Sequence, residues 1–123
     1  MTAPQADYFK NRCVQRGDEI LAGFIMTVKL RMPTFQNGKE KRRFLKAIVA
    51  EIDKRYNQHI DDLGNWPLII QFFDDDQSEF CSLFFGKAME PSENPVHTMN
   101  NIIAFIRKDL SLNIYSIKRS PYD

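Results

Sequence analysis

The stretch Ile20-Leu21-Ala22-Gly23-Phe24-Ile25-Met26-Thr27-Val28-Lys29-Leu30-Arg31-Met32 decides the fold. Seven apolar side chains alternate through it: Ile20, Ala22, Phe24, Met26, Val28, Leu30 and Met32. Successive strand residues face opposite sides, so one side of this segment is apolar throughout and the other is mixed. A helix would spread the same residues around its whole circumference. The segment therefore reads as a long β-strand from Glu19 to Met32. Pro33 ends it, having no N–H to give to a ladder.

Before this strand, Ala3 to Arg16 reads as a short helix. Pro4 suits its first turn, Tyr8, Phe9 and Cys13 form its stripe, and Gly17 stops it. After the strand, Asn37 reads as an N-cap with Glu40 three residues on. The helix it opens runs from Gly38 to His59. Phe44, Leu45, Ile48, Val49, Ile52 and Tyr56 lie on one side of it, and Lys39, Arg42, Arg43, Lys46, Glu51, Asp53 and Lys54 on the other. Leu68–Phe73 and Phe80–Phe85 are short apolar runs joined by a polar turn, which makes a hairpin closed by Gly86. Asn94-Pro95 is a cap followed by proline at the first helical position. The helix from there to Leu110 carries Met99, Ile102, Ile103, Ile106 and Leu110 on one face. Leu112–Arg119 is a last strand.

The order is a helix followed by β-α-β-β-α-β, the ferredoxin-like order. The expected fold is α+β: a four-stranded antiparallel sheet with two helices on one face and an extra N-terminal helix. A chain of 123 residues with no internal repeat is expected to form one domain. Its parts are an N-terminal extension over 1–17, a core over 18–119 and a tail over 120–123.

The hairpin is apolar on both sides. Leu68, Ile70 and Phe72 alternate with Ile69 and Phe73, and Phe80 and Phe84 alternate with Cys81, Leu83 and Phe85. Two helices shelter one face of a sheet, so the other face needs cover from the N-terminal helix or from another chain. The expected protein interface is Ile69, Phe73, Cys81, Leu83 and Phe85, with Trp66 as an anchor beside them.

The net charge is +1, so nucleic-acid binding requires the charges to be segregated. Lys39, Lys41, Arg42, Arg43 and Lys46 form the densest basic run. Lys29 and Arg31 on the first strand, with Lys118 and Arg119 on the last, extend it into a stripe if those strands are neighbours. The run Ser78–Phe85 does not match the RNA-recognition motif, because it lacks the basic-glycine start and holds Ser82 at the second ring position.

Other chemistry finds little support. Asp74, Asp75, Asp76, Ser78 and Glu79 crowd one turn, but Glu79 and Phe85 stand where an EF-hand needs glycine and a bidentate acid. His59, His97, Cys13 and Cys81 lack zinc-site spacing. Cys81 and His97 have no elbow or partner acid. No glycine-rich phosphate loop is present. Two cysteines, a polar first ten residues and no apolar run of roughly 20 residues lead to the expectation of a reduced, cytoplasmic protein off the membrane.

The sequence therefore predicts an interaction domain without catalytic residues, metal or cofactor, which self-associates or binds a protein through its apolar sheet face. The alternatives are nucleic-acid binding through Lys29, Arg31, Lys39, Arg42, Arg43, Lys46, Lys118 and Arg119, and a small-molecule site or enzyme between sheet and helices.

Overall fold

The computed structural model describes residues 15–16, 19–20, 22–58, 66–74, 79–89 and 93–120. Its elements are β1 (Gln15–Arg16), β2 (Glu19–Ile20), β3 (Ala22–Arg31), α1 (Gly38–Asn57), β4 (Ile69–Asp74), β5 (Phe80–Met89), α2 (Pro95–Ala104) and β6 (Asn113–Ser120). The main sheet has four strands in the order β4-β5-β3-β6, and every neighbouring pair is antiparallel. The first and last long strands therefore lie side by side. Each helix connects two parallel strands that have a third strand between them.

The alternation in β3 is carried through intact. Phe24, Met26, Val28, Leu30 and Met32 are buried, and the residues between them are half-buried or exposed. Opposite them on β5 stand Phe85 beside Met26, Leu83 beside Val28 and Cys81 beside Leu30. Leu45, Ile48 and Ile52 of α1 and Met99, Ile102 and Ile103 of α2 close over these residues in one cluster. Phe24 and Phe85 are among its largest members, and burying each contributes about 2 kcal/mol. Both helices thus cover the same face of the sheet.

Caps set the helix starts. Asn37 Oδ1 accepts from the Glu40 N–H at 2.9 Å, and Asn94 Oδ1 accepts from Val96 and His97 N–H at 3.1 and 3.3 Å. At its C-terminal end α1 is tied to the sheet. The Asn57 side-chain amide donates to the Leu68 carbonyl and accepts from the Leu68 N–H, both at 2.8 Å. The α2 segment continues as one π-helical turn, Phe105–Asp109, and Leu110 N–H then donates to the Phe105 carbonyl at 3.0 Å. No helix among the described residues is long and apolar enough to cross a membrane.

Three sequence expectations change. Gln15–Arg16 pair with Glu19–Ile20 as a small antiparallel ladder, so no helix runs through Arg16 and the long strand opens at Ala22. The rest of the expected N-terminal helix lies outside the described residues. Gly86 does not close the hairpin: β5 continues to Met89 because ten-residue β3 offers partners as far as Ala22.

Candidate nucleic-acid interface

The face turned away from the helices is set by register. It carries Ile25, Thr27, Lys29 and Arg31 of β3, Phe80, Ser82, Phe84, Gly86 and Ala88 of β5, Ile69, Gln71 and Phe73 of β4, and Ser116 and Lys118 of β6. Three cations stand in this set and no carboxylate. Among the described residues, the charges on this face are therefore of one sign. Around Phe84, 3% exposed, and buried Gly86 and Ala88, the face is closed to solvent. Toward β6 it is open.

Tyr115 is the centre of the open part, and a β-bulge puts it there. Lys29 pairs with Ser116, but the next residue, Leu30, pairs with Ile114, so Tyr115 is the extra residue of β6. Strict alternation would turn Tyr115 toward the helices beside Ile117. The bulge instead keeps Ile114 and Ile117 against the core and aims the Tyr115 ring outward. It is 58% exposed, and its centroid lies 4.7 Å from that of Phe80 at an interplanar angle of 56°.

Two cations hover over this ring pair. Lys29 Nζ is 4.8 Å from the Phe80 centroid and 5.5 Å from that of Tyr115, and Arg31 Cζ is 5.3 and 5.6 Å from the same two. Among the described residues, neither cation has a carboxylate within ion-pair distance. Lys29 and Arg31 are two residues apart on one face, so their like charges sit close together. Lys118, exposed opposite Thr27, adds a third charge. Lys29, Arg31, Phe80 and Tyr115 thus form one basic and aromatic platform, and Lys118 stands farther along the same face.

Comparison with protein-family models, with curated proteins and with solved structures finds no match for this chain.

This face gathers only part of the expected basic stripe. Lys29, Arg31 and Lys118 share it. Arg119 points to the helix side, where its Nη1 donates to Asn100 Oδ1 at 3.3 Å. Lys39, Arg42, Arg43 and Lys46 are exposed on the outer side of α1, in the other layer. Lys41 leaves the run altogether: it is 4% exposed, 2.8 Å from Asp74 Oδ1 and 3.1 Å from the Phe80 carbonyl.

The expected apolar interface is corrected in three positions. Cys81, Leu83 and Phe85 lie beneath the helices in the core, opposite Leu30, Val28 and Met26. The phase of β5 is the reason, because β3 aligns its odd-numbered residues with the buried side. Ile69 and Phe73 do face away from the helices, Ile69 half-buried and Phe73 39% exposed. Trp66 is half-buried ahead of β4, and its carbonyl accepts from Lys87 Nζ.

Among the described residues no other chemistry gathers. Burial pushes the Cys81 thiol up to about 12, against the pull of nearby Lys41, which leaves it protonated and inert near neutral pH. His97 is exposed on α2. Among the described residues no three His, Cys, Asp or Glu side chains cluster to hold a metal. His59, Cys13, Asp75, Asp76 and Ser78 lie outside those residues.

Neither ring, Phe80 nor Tyr115, is among the site residues expected from sequence, and Tyr115 carried a signal of its own. Its signal was the three-residue step from Ile114 to Ile117, which breaks period two and is what a bulge requires.

Proposed function

We propose that this domain binds nucleic acid on its open sheet face, through the Lys29, Arg31, Phe80 and Tyr115 platform and Lys118 farther along it. The observation that carries the reading is the exposed Tyr115 ring, set beside Phe80 under two cations that have no acidic partner among the described residues. An exposed cation–π contact is worth about 0.5–1 kcal/mol. Stacking a base on an aromatic side chain is worth about 1–3 kcal/mol. A base can therefore replace the cations over Tyr115, and the released cations then meet the flanking phosphates, where each gains counterion release. The outer side of α1 is the weaker candidate, because Glu40, Glu51 and Asp53 interrupt its cations and it offers no exposed ring.

The scaffold is read as ferredoxin-like. The β-α-β-β-α-β order after β2 and the adjacency of β3 and β6 support that reading. The same adjacency is what brings Lys29 and Arg31 next to Tyr115 and Lys118.

Fluorescence anisotropy at low salt with labelled DNA and RNA, paired and unpaired, tests the proposal. Binding is expected that Lys29→Glu with Arg31→Glu abolishes and that the same reversals at Arg42 and Arg43 leave largely intact. No binding to any of the four probes overturns it.

A second reading, self-association through the same face, keeps Ile69 and Phe73 and rests on the exposure of Phe73 along the edge strand β4. It loses Cys81, Leu83 and Phe85. Sedimentation that finds only monomer at micromolar concentration removes it.

A further inference from the structure

We infer that the strand this face takes is unpaired, with one base stacked on the outer side of Tyr115. The inference rests on the nucleic-acid reading and adds what kind of nucleic acid is bound. Three observations support it.

The first is width. The four strands β4-β5-β3-β6 span three interstrand steps, about 14 Å before side chains are counted. A B-form major groove is about 12 Å wide and admits a helix or a two-stranded ribbon. This sheet cannot enter it.

The second is the ring geometry. At 4.7 Å and 56°, Tyr115 and Phe80 already touch, and no slot between them remains for a base. The surface that remains is the outer side of the 58% exposed Tyr115, where a base takes the place of the Lys29 and Arg31 cations. Stacking there needs a base whose own face is free, and duplex bases spend their faces on one another.

The third is the line of charge. Lys118 stands opposite Thr27, and Lys29 and Arg31 follow on the same face, so the cations span roughly 13 Å along β3. The ring sits beside this line, so a chain tracking the cations through its phosphates can lay a base on the ring.

The test compares a short labelled oligothymidylate with the same strand annealed to oligoadenylate, at one salt concentration. The single strand is expected to bind at least tenfold more tightly. Tyr115→Ala is expected to weaken single-strand binding by roughly 5- to 150-fold, while Tyr115→Phe retains affinity. Circular dichroism and thermal unfolding verify that each variant folds. Equal or tighter duplex binding overturns the inference and leaves the nucleic-acid reading standing. A polyglutamate peptide that binds as tightly as the oligonucleotide also overturns it, because charge alone then accounts for the site. Binding to neither nucleic acid overturns the reading beneath it.

Discussion

Lys41 Nζ and Asp74 Oδ1 are 2.8 Å apart with both side chains almost wholly out of water, and the same ammonium donates to the Phe80 carbonyl. One buried cation thus joins α1, the end of β4 and the start of β5, and holds the backbone that carries a platform ring. Removing one partner takes a counter-charge away from the other where water barely reaches. Asp74→Ala is expected to destabilise the protein by about 3–5 kcal/mol. Lys41→Met combined with Asp74→Leu is expected to recover most of that loss. Urea unfolding of both variants checks this, and equal losses in the two contradict it.

The Cys81 thiol supplies a pH signature. Its ordinary value is 9.0, and in the fold burial raises it to about 12. Below pH 9 the folded and unfolded chains both hold the proton, and the group adds no pH dependence. Between pH 9 and about 12 the unfolded chain releases the proton and the native one keeps it, so stability falls as pH rises. Cys81→Ala is expected to flatten this part of the stability profile relative to the parent. In a Cys13→Ser background, a thiol reagent is expected to label Cys81 slowly in the native protein and rapidly in urea. Fast native labelling contradicts the burial.

Asn57 is the bracket between α1 and β4. Its amide makes a reciprocal pair with the Leu68 backbone and also donates to Asp53 Oδ1 at 2.8 Å. Asn57→Ala leaves the partly buried Leu68 N–H and carbonyl without that side chain, and a loss of about 1–3 kcal/mol is expected. Asn57→Asp keeps the acceptor but sets a carboxylate oxygen against Asp53 Oδ1 and the Leu68 carbonyl, so its loss is expected to match or exceed that of Ala. Thermal unfolding ranks the three proteins, and an Ala variant as stable as the parent refutes the bracket.

Ser111 holds a φ of 53° just before β6. A side chain in this left-handed region costs about 1–2 kcal/mol, and glycine escapes that cost while losing about 0.5–1 kcal/mol of backbone entropy. Ser111 is exposed, so packing does not confuse the comparison. Ser111→Gly is expected to match or slightly exceed the parent in stability, and Ser111→Val to fall below it, because a β-branched side chain is disfavoured further at this φ. Chemical denaturation that ranks Val above Gly contradicts the assignment.

Much of the architecture was legible in the residues. The alternation from Phe24 to Met32, the caps at Asn37 and Asn94, and the helical spacing of Leu45, Ile48 and Ile52 each reflect a local rule, and the fold obeys them. What could not be read was which side of β5 faces the helices. Phe80, Phe84, Cys81, Leu83 and Phe85 are apolar on both sides, so only the pairing with β3 fixes the phase. Exposure of Tyr115 was hidden for a related reason: a bulge is a property of two paired strands. The basic stripe was half legible. Lys29, Arg31 and Lys118 share a face by alternation, whereas Arg119, one residue on, turns to Asn100 by the same rule.

The most direct test of the platform is a nuclear magnetic resonance titration of isotope-labelled protein with a short oligothymidylate. Backbone and side-chain signals of Lys29, Arg31, Phe80, Tyr115 and Lys118 are expected to shift together and to saturate with one affinity, while those of Lys39, Arg42, Arg43 and Lys46 stay in place. Shifts confined to the outer side of α1, or no shifts at saturating oligonucleotide, contradict the account.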